Sequence, residues 1–590
     1  MNRNFLTVLV FSMVLYLVHI PVFCGIQAML ISGETGSYYG VAHSQIPVSG
    51  AVSGRWQRGN YIAIEDINVN RNDSLIIDPG VTLTFNQGIS FEVYGKLIAI
   101  GTQRDSIKFT SGGRRAGDWR WIRFSGASAS QSVMEYCNVR YADRGIHIIE
   151  ADPTIRNSAI SNNSSWGIKL ERSRSNILYN EVAQVAQNGI ILDVSSNALV
   201  QGNLVHNTGA SGIAVTGNSS GKIYENVVIN TSRHGINLNE ARICSVFANH
   251  LESNIERGIY CFSSEAPVIQ RNVVYDNRGD YALYILRSDY AIVLNNTIFA
   301  NDRTGLGFVN STGNVINNII AMNGQDGIYV QGAQVIAEYN DVWQNSRDNY
   351  SGIDPDRNDI SLNPDLDEFF VPREDSPVID SGSPNYRDPD GTRADIGAKF
   401  FNQNNPPVIE RYWPQQFESA QGDEWIEFGV EATDPDDHPL TYRWYVNGVQ
   451  VASQSEMEHL FYVDGDYIVT VIVDDGYYWG TSSMDWEFSI YGSSVPIGEG
   501  DLPSEFILSP AYPNPFNATT RFMVSLPSVE YTRITLWDIN GRLLFSVWEG
   551  ELSAGSYSFT LNLEDVPNGI MLLKAETNNN VKYNKLILIK

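Results

Sequence analysis

Two acidic side chains, Glu171 and Asp193, each lie four residues after a glycine, Gly167 and Gly189. If those glycines mark one point of a repeating coil, the carboxylates sit on neighbouring strands about 5 Å apart. Two carboxylates that close raise one pKa or share a cation, and the spacing is near that of a retaining acid pair in glycoside chemistry. Glu150 and Glu240 fall five residues after their glycines and align less well. Lys169 and Arg172 are near enough to neutralise the pair, so a solvated charged face is the simpler reading and catalysis the alternative. A second set stands just before the glycines: Arg233-His234, Glu256-Arg257, Asp280-Tyr281 and Arg303. Histidine, arginine and tyrosine are proton-transfer residue types, yet alternating charges at turns are also ordinary polar surface. Glu171, Asp193, Arg233, His234 and Arg257 are the candidate catalytic residues.

Acidic turns are the candidate cation sites. Asp388-Pro389-Asp390-Gly391 has the alternating acids of a calcium loop but lacks the closing glutamate; it reads as a cap first and a calcium site second. In Asp434-Pro435-Asp436-Asp437-His438, three acids lie within four residues, and Asp434, Asp436 and Asp437 are candidate calcium ligands. Asp and Pro also simply make turns. Calcium is the cofactor these acids suggest. No Ser-His-Asp order, zinc-ligand spacing or phosphate loop accompanies them.

The elements that position these residues repeat. Gly followed by an aliphatic residue recurs at Gly145, Gly167, Gly189, Gly212, Gly235, Gly258, Gly305 and Gly327, at intervals of 22, 22, 23, 23, 23, 47 and 22 residues. The long interval holds one degenerate copy, Ala282-Leu283. A second column, Asn157, Asn180, Asn203, Asn226, Asn249, Asn272, Asn296, Asn318 and Asn340, keeps intervals of 22 to 24. A fixed period in the low twenties means a solenoid. Each period holds short alternating strands such as Ile190-Ile191-Leu192, with no helical spacing. Stacked coils lie about 4.8 Å apart, so one inward Asn per coil forms an amide ladder that satisfies buried polar groups. The glycine suits positive φ or a close backbone approach. This pattern resembles the right-handed parallel β-helix repeat family, the pectate-lyase-like superfold. The resemblance implies about a dozen coils over residues 25–400, with caps at both ends, and a long parallel sheet along which such proteins bind or cleave polysaccharide. None of the signatures of pectate lyase, polygalacturonase or alginate epimerase is present. The Ser111–Trp121 loop, with Arg114, Arg115, Trp119 and Trp121, reads as part of a cap ahead of a functional loop.

After the linker Asn402–Pro407, strands such as Tyr467–Val473 alternate as in a β-sandwich, and residues 405–492 resemble Ig-like, PKD-type and cadherin-like modules. Residues 493–505 form a second linker. Residues 506–590 carry Tyr512-Pro513-Asn514-Pro515-Phe516-Asn517, Trp537-Asp538-Ile539-Asn540-Gly541-Arg542 and Asn568-Gly569-Ile570. They are similar to the C-terminal sorting domain of the type IX (Por) secretion system, which implies that machinery as a partner. The fold class expected is all-β: a right-handed parallel β-helix solenoid followed by two small β-sandwich domains.

Composition sets the address. The chain has 590 residues and a net charge of -27, a poor match to nucleic acid. Residues 1–24 read as a signal peptide, with Arg3 before an apolar run; Phe23 beside Cys24 argues against a lipid anchor. No later segment has the roughly 20 apolar residues of a membrane span. Cys137, Cys244 and Cys261 read as buried thiols, with a Cys244–Cys261 bridge left open. The function expected is polysaccharide binding by an exported, secreted or surface-attached protein. The alternatives are a lyase, epimerase or hydrolase on the same face, and a structural spacer or adhesin.

Overall fold

Strands whose alternate residues are aliphatic bury one side when the chain coils on itself. The computed structural model describes residues 45–588, apart from 416–417, 423–424, 462, 492–505, 512–513, 539–542, 553–554, 564–565, 567–568 and 578–579. The signal peptide, the second linker, and Tyr512, Pro513, Ile539–Arg542 and Asn568 of the sorting motifs lie outside these residues.

The first of two compact units comprises residues up to Asp388 together with Thr392–Phe401. It is a right-handed parallel β-solenoid with three sheets. Sheet 1 takes the strands that follow the glycine column, such as Ile168–Glu171 and Ile190–Asp193. Sheet 2 takes those that follow the asparagine column, such as Leu204–His206. Sheet 3 has 13 strands, from Gly54–Trp56 to Gln334–Glu338. The register moves by one coil at each step, so Ile168 pairs with Ile190 and Glu171 with Asp193. The degenerate copy keeps step: Leu283 pairs with Ile259 and Leu306. One apolar core runs inside from Trp56 to Val342. Trp119 belongs to it, fully buried and stacked on Phe85 at 4.1 Å. Cys137, Cys244 and Cys261 are buried free thiols.

Polar ladders hold the corners. The Asn203 amide donates to Asn226 Oδ1 at 2.9 Å, Asn226 to Asn249 and Asn249 to Asn272 at the same distance, and the series runs on to Asn340 and Asp359 Oδ1. Each oxygen also accepts the backbone N–H of the preceding column residue, as Asn249 Oδ1 does from Asn226. Asn157 stands outside this ladder. Ser158 takes its place: its N–H donates to Asn180 Oδ1, and its Oγ accepts the N–H of Cys137. The reason lies in the backbone. The residue before each ladder position bends the chain at positive φ, as do Tyr179 at 54°, Glu225 at 55° and Asn157 at 48°. Asparagine tolerates that conformation better than most residues, so one residue type serves two neighbouring positions. Asn295-Asn296 and Asn317-Asn318 show both uses side by side.

Two further ladders escaped the sequence reading. Five residues past the first, Asn254, Asn277, Asn301, Asn323 and Asn345 bond in series at 2.8–3.0 Å. Ser196 and Ser219, and again Ser264, Ser288 and Ser311, lend hydroxyls to the backbone of the coil before. The glycine column meets a different demand. A Cβ on Gly189 would lie 2.5 Å from Val205 Cγ1 and 2.7 Å from the Gly212 carbonyl oxygen, so close approach excludes a side chain there.

The segment after the last coil lies along sheet 2. Ile360 bridges to Asp341 at the last coil. Phe370 and Ala398 pack on Val273, Tyr275 and Phe299, while Val378 and Ile396 pack on Ile319, Ala321 and Trp343.

The second unit begins at Asn402 and includes Pro389–Gly391. A three-stranded sheet (Val408–Trp413, Trp425–Thr433, Glu456–Leu460) faces a five-stranded one that includes Thr441–Val446, Gly465–Asp474 and Thr481–Tyr491. Phe428, Trp444, Val471 and Trp486 fill the space between them. The C-terminal module is again two sheets, of three and four strands, around Phe522, Ile534, Leu573 and Leu586.

Candidate functional site

Caps and packing occupy sheet 2, whereas the outer face of sheet 1 carries rows of chemically distinctive side chains. Two columns build it. One is the residue just before each glycine; the other is the first outward residue of each strand.

Over the early coils Trp121 takes the glycine position itself, in register with Gly145, and the pre-glycine column reads Arg144, Trp166. The Arg144 guanidinium lies 5.0 Å from the ring centres of both tryptophans, within cation–π reach. Beside them, Arg123, His147 and Lys169 stand in register on successive strands. Glu92 takes the Trp121 indole N–H at 2.8 Å and Arg123 at 2.7 Å. Lys169 Nζ sits between the two carboxylates singled out in the sequence, 2.8 Å from Glu171 and 3.1 Å from Asp193. His147 Nε2 stands 3.3 Å from Glu171. Arg172 turns away and pairs with Glu150 at 2.7 Å.

The charges follow from these contacts. Burial pushes Glu171 up, but Lys169 and His147 outweigh it and hold the carboxyl below its ordinary range. Burial likewise raises Asp193, and Lys169, the Thr216 hydroxyl and the Val194 N–H together bring it below normal. Burial lowers His147 despite Glu171, which leaves a neutral imidazole at neutral pH. Both carboxylates are therefore ionised, and a lysine bridges them. The acid of a retaining glycosidase pair is protonated, whereas Lys169 holds both of these carboxyls below their ordinary range.

The later coils carry rings. Tyr260 and Tyr284 occupy the outward column with centroids 5.8 Å apart. Tyr284 pairs with Gly307 on the next strand. The Tyr281 ring fills the space that Gly307 leaves, stacked on Tyr284 at 4.2 Å and 5°. Tyr329 continues the row at 6.1 Å from Tyr281. Arg257 lies 4.6 Å from the Tyr260 centroid and 5.1 Å from that of Tyr284, and its guanidinium pairs with Asp280 at 2.7 Å. Arg233 and His234 both reach Glu256, at 3.3 and 3.2 Å. His234 is buried, and that burial, with Arg257 and Arg233 beside it, lowers its pKa to about 3. The structure thus gathers Arg233, His234 and Arg257 beside the tyrosines, several coils from Glu171 and Asp193.

Sequence reasoning passed over Arg144, His147, Trp166, Tyr260, Tyr284 and Gly307. The signal was available: they recur at the same interval as the glycines, one residue before or two after. A search for carboxylates alone does not find them.

The acidic turns arrange themselves differently from the calcium expectation. Asp434, His438 and Asp475 offer ligand atoms within 4.8 Å of one another. Asp436 instead accepts the N–H and side-chain amide of Asn405, and Asp437 is exposed at φ 60°. Of the three acids expected to share a cation, Asp434 alone belongs to this cluster. Asp388 pairs with Arg271 at 2.9 Å and accepts the Asp395 N–H, while Asp390 accepts the Gln403 N–H.

Comparison with known proteins agrees with this architecture. The model for the right handed beta helix region matches residues 122–242 and 211–360, and that for the secretion system C-terminal sorting domain matches 510–590. Similar solved structures include a mutant of the periplasmic alginate epimerase AlgG, at 16% identity over 51% of this chain and 78% of that one, with a TM-score of 0.36. They also include the A-module of the Azotobacter vinelandii mannuronan C-5 epimerase AlgE6, at 13% identity over 54% and 91%, with a TM-score of 0.33. The pectate lyase Pel9A shares 15% identity over 57% and 89%, with a TM-score of 0.35. No curated protein matches the sequence. Among the described residues, no helix is long and apolar enough to cross a membrane. The chain is a right-handed parallel β-helix protein that carries a C-terminal sorting domain for type IX secretion to the cell surface or extracellular space.

Proposed function

We propose that this exported protein binds polysaccharide along the outer face of sheet 1. The observation that carries the reading is a pair of clusters of half-buried rings and cationic side chains on that face, one from Trp121 to Lys169 and one from Arg257 to Tyr329, with coils bearing Ile191, Ala214 and Asn237 between them. Aromatic side chains with a polar edge suit a ligand that is apolar on its ring faces and hydroxylated on its rim. The face also offers donors that the protein leaves unused. Trp166 Nε1 is buried without an acceptor among the described residues. Long side chains held by stacking and ion pairs lose little freedom on binding, which favours affinity.

An enzymatic reading, as a lyase or epimerase on the same face, draws on the His147–Lys169–Glu171–Asp193 cluster, where a neutral imidazole adjoins a cation and two anions. A neutral histidine is a competent base. The experiment that separates the readings uses the secreted chain against a panel of acidic and neutral glycans, scored for both binding and release of unsaturated or reducing ends. Binding without release supports the first reading. Release that His147→Gln abolishes while binding persists supports the second. Failure to bind any glycan sinks both and leaves the spacer or adhesin reading.

A further inference from the structure

We infer that Asp434, His438 and Asp475, at one end of the sandwich in the second unit, form a binding site for a divalent transition metal, with zinc the first choice. Asp434 follows the strand Trp425–Thr433 and Asp475 follows Gly465–Asp474, so strands of the two facing sheets deliver the two carboxylates to one end. The turn fixes how Asp434 points. Its Oδ1 accepts the N–H groups of Asp436 at 2.9 Å and His438 at 3.0 Å. Its Oδ2 is thereby turned inward, where it is buried and receives no hydrogen bond, on a side chain only 1% exposed. An ionised oxygen held that way is costly unless a cation completes it.

The neighbours agree. The His438 ring packs on Tyr477 at 4.3 Å, which sets its plane, and its Nδ1 is buried without a hydrogen-bond partner, 3.5 Å from Asp434 Oδ1. Asp475 is buried, with Oδ1 accepting the Tyr477 N–H at 2.7 Å and Oδ2 the Asn404 amide at 2.9 Å. These contacts orient the ligands and leave lone pairs for an ion, as second-shell bonds do in metal sites. The Oδ1 of Asn404, also buried and without a donor, is a further oxygen beside Asp475. The donor set decides the class of ion. Calcium takes oxygen ligands only, whereas an imidazole nitrogen with two carboxylates suits zinc and its neighbours in the first transition row. The inference does not rest on the glycan reading.

The test uses the mature secreted chain, stripped with chelator and titrated calorimetrically with zinc chloride and, separately, calcium chloride. Cobalt(II) absorption reports nitrogen ligation. Zinc is expected to bind stoichiometrically and raise the melting temperature, and calcium to do neither. His438→Phe keeps a ring on Tyr477 but removes the nitrogen. Losing even a second-shell partner costs about 10–100-fold in metal affinity, so this variant should lose at least that much. Asp434→Asn keeps the turn's acceptor and removes the charge. Its metal-free melting temperature should hold or rise while the zinc response disappears, an outcome that a purely structural aspartate does not give. Asp437→Ala is the control and should bind as the parent does. No zinc binding by the parent would overturn the inference. So would zinc binding that survives both variants, or calcium binding that His438→Phe leaves intact.

Discussion

The inside and the outside of the solenoid share one period but treat it in opposite ways. Inside, the ladder positions repeat the same residue: Asn180, Asn203, Asn226, Asn249, Asn272, Asn296, Asn318 and Asn340. Outside on sheet 1, the column that starts each strand runs Arg123, His147, Lys169, Ile191, Ala214, Asn237, Tyr260, Tyr284 and Gly307, with no two consecutive residues alike except the tyrosines. Every coil faces the same problem inside, a corner whose backbone groups are cut off from water. Uniform physics gives a uniform column. Outside, the backbone corner is not the constraint and the side chains are only partly buried, so stability fixes the residue less tightly and the sequence is freer to serve a ligand. The contrast teaches where to look for function in a repeat protein: in the columns where the repeat breaks.

The largest expected effect is on the inside. Asn226→Ala removes the acceptor of the Asn203 N–H and the donor to the Val200 carbonyl. With each orphaned group costing about 1–3 kcal/mol, the loss is about 2–6 kcal/mol. Asn237→Ala, on the outward column, should change stability by no more than about 0.5 kcal/mol. Chemical denaturation of the two variants checks this, and similar losses in both would erase the distinction.

A smaller effect separates two adjacent residues. Ser158→Ala strands the Cys137 N–H and should cost about 1–3 kcal/mol. Asn157→Ala gives up a favoured residue at a positive-φ bend and a 3.1 Å hydrogen bond from its amide to Glu135 Oε1, at a cost of about 1 kcal/mol. The reverse order would put Asn157 back in the ladder.

Acid should act oppositely on two residues of the unit, His234 in a middle coil and Asp341 in the last. His234 titrates at about 3 when folded, below its ordinary value. The unfolded chain then binds the extra proton, so the contribution is present above about pH 6.5 and is lost as pH falls toward 3. Asp341, at the last coil, is pushed by burial up to about 7, with the Leu362 N–H opposing. The folded state binds the extra proton there, so its contribution is present below about pH 4 and is lost as pH rises toward 7. Melting temperatures measured across pH 4–8 for His234→Phe and Asp341→Asn should each lose one of these opposed slopes. An unchanged profile in either variant removes that residue from the account.

Much of the fold was legible in the sequence because it repeats. One glycine and one asparagine column fixed the period, and the period fixed the solenoid. Legibility failed where a residue type has two uses. Asn157 and Asn180 look identical in sequence, yet one sits at the bend and reaches Glu135 while the other joins the amide ladder. The Asn-x-x-x-x-Asn spacing of Asn249 and Asn254 was on view, but a single column already sufficed to name the fold. Of the site, the Glu171–Asp193 register could be read from strand alternation. The Lys169 bridge and the Tyr281 ring over Gly307 could not, since both depend on where a long side chain turns. The cation cluster joins residues from distant turns, Asp434 and Asp475, and no local pattern encodes that closeness.

The central claim is that the outer face of sheet 1 binds an extended glycan. From the strand Ile122–Ser125 to Ile328–Gln331 there are nine register steps, or about 43 Å at the interstrand spacing. The most direct measurement is affinity for a length series of the glycan that the panel identifies. It should compare the parent with Trp166→Ala plus Tyr284→Ala, and with Tyr224→Ala plus Phe247→Ala, an aromatic pair on the outer face of sheet 3. The account predicts that parent affinity climbs with chain length until the ligand spans about 43 Å. The sheet 1 variant should lose about tenfold or more, as expected when buried aromatic anchors are removed, and the sheet 3 variant should bind like the parent. Length-independent affinity, or an equal loss from both faces, would contradict it.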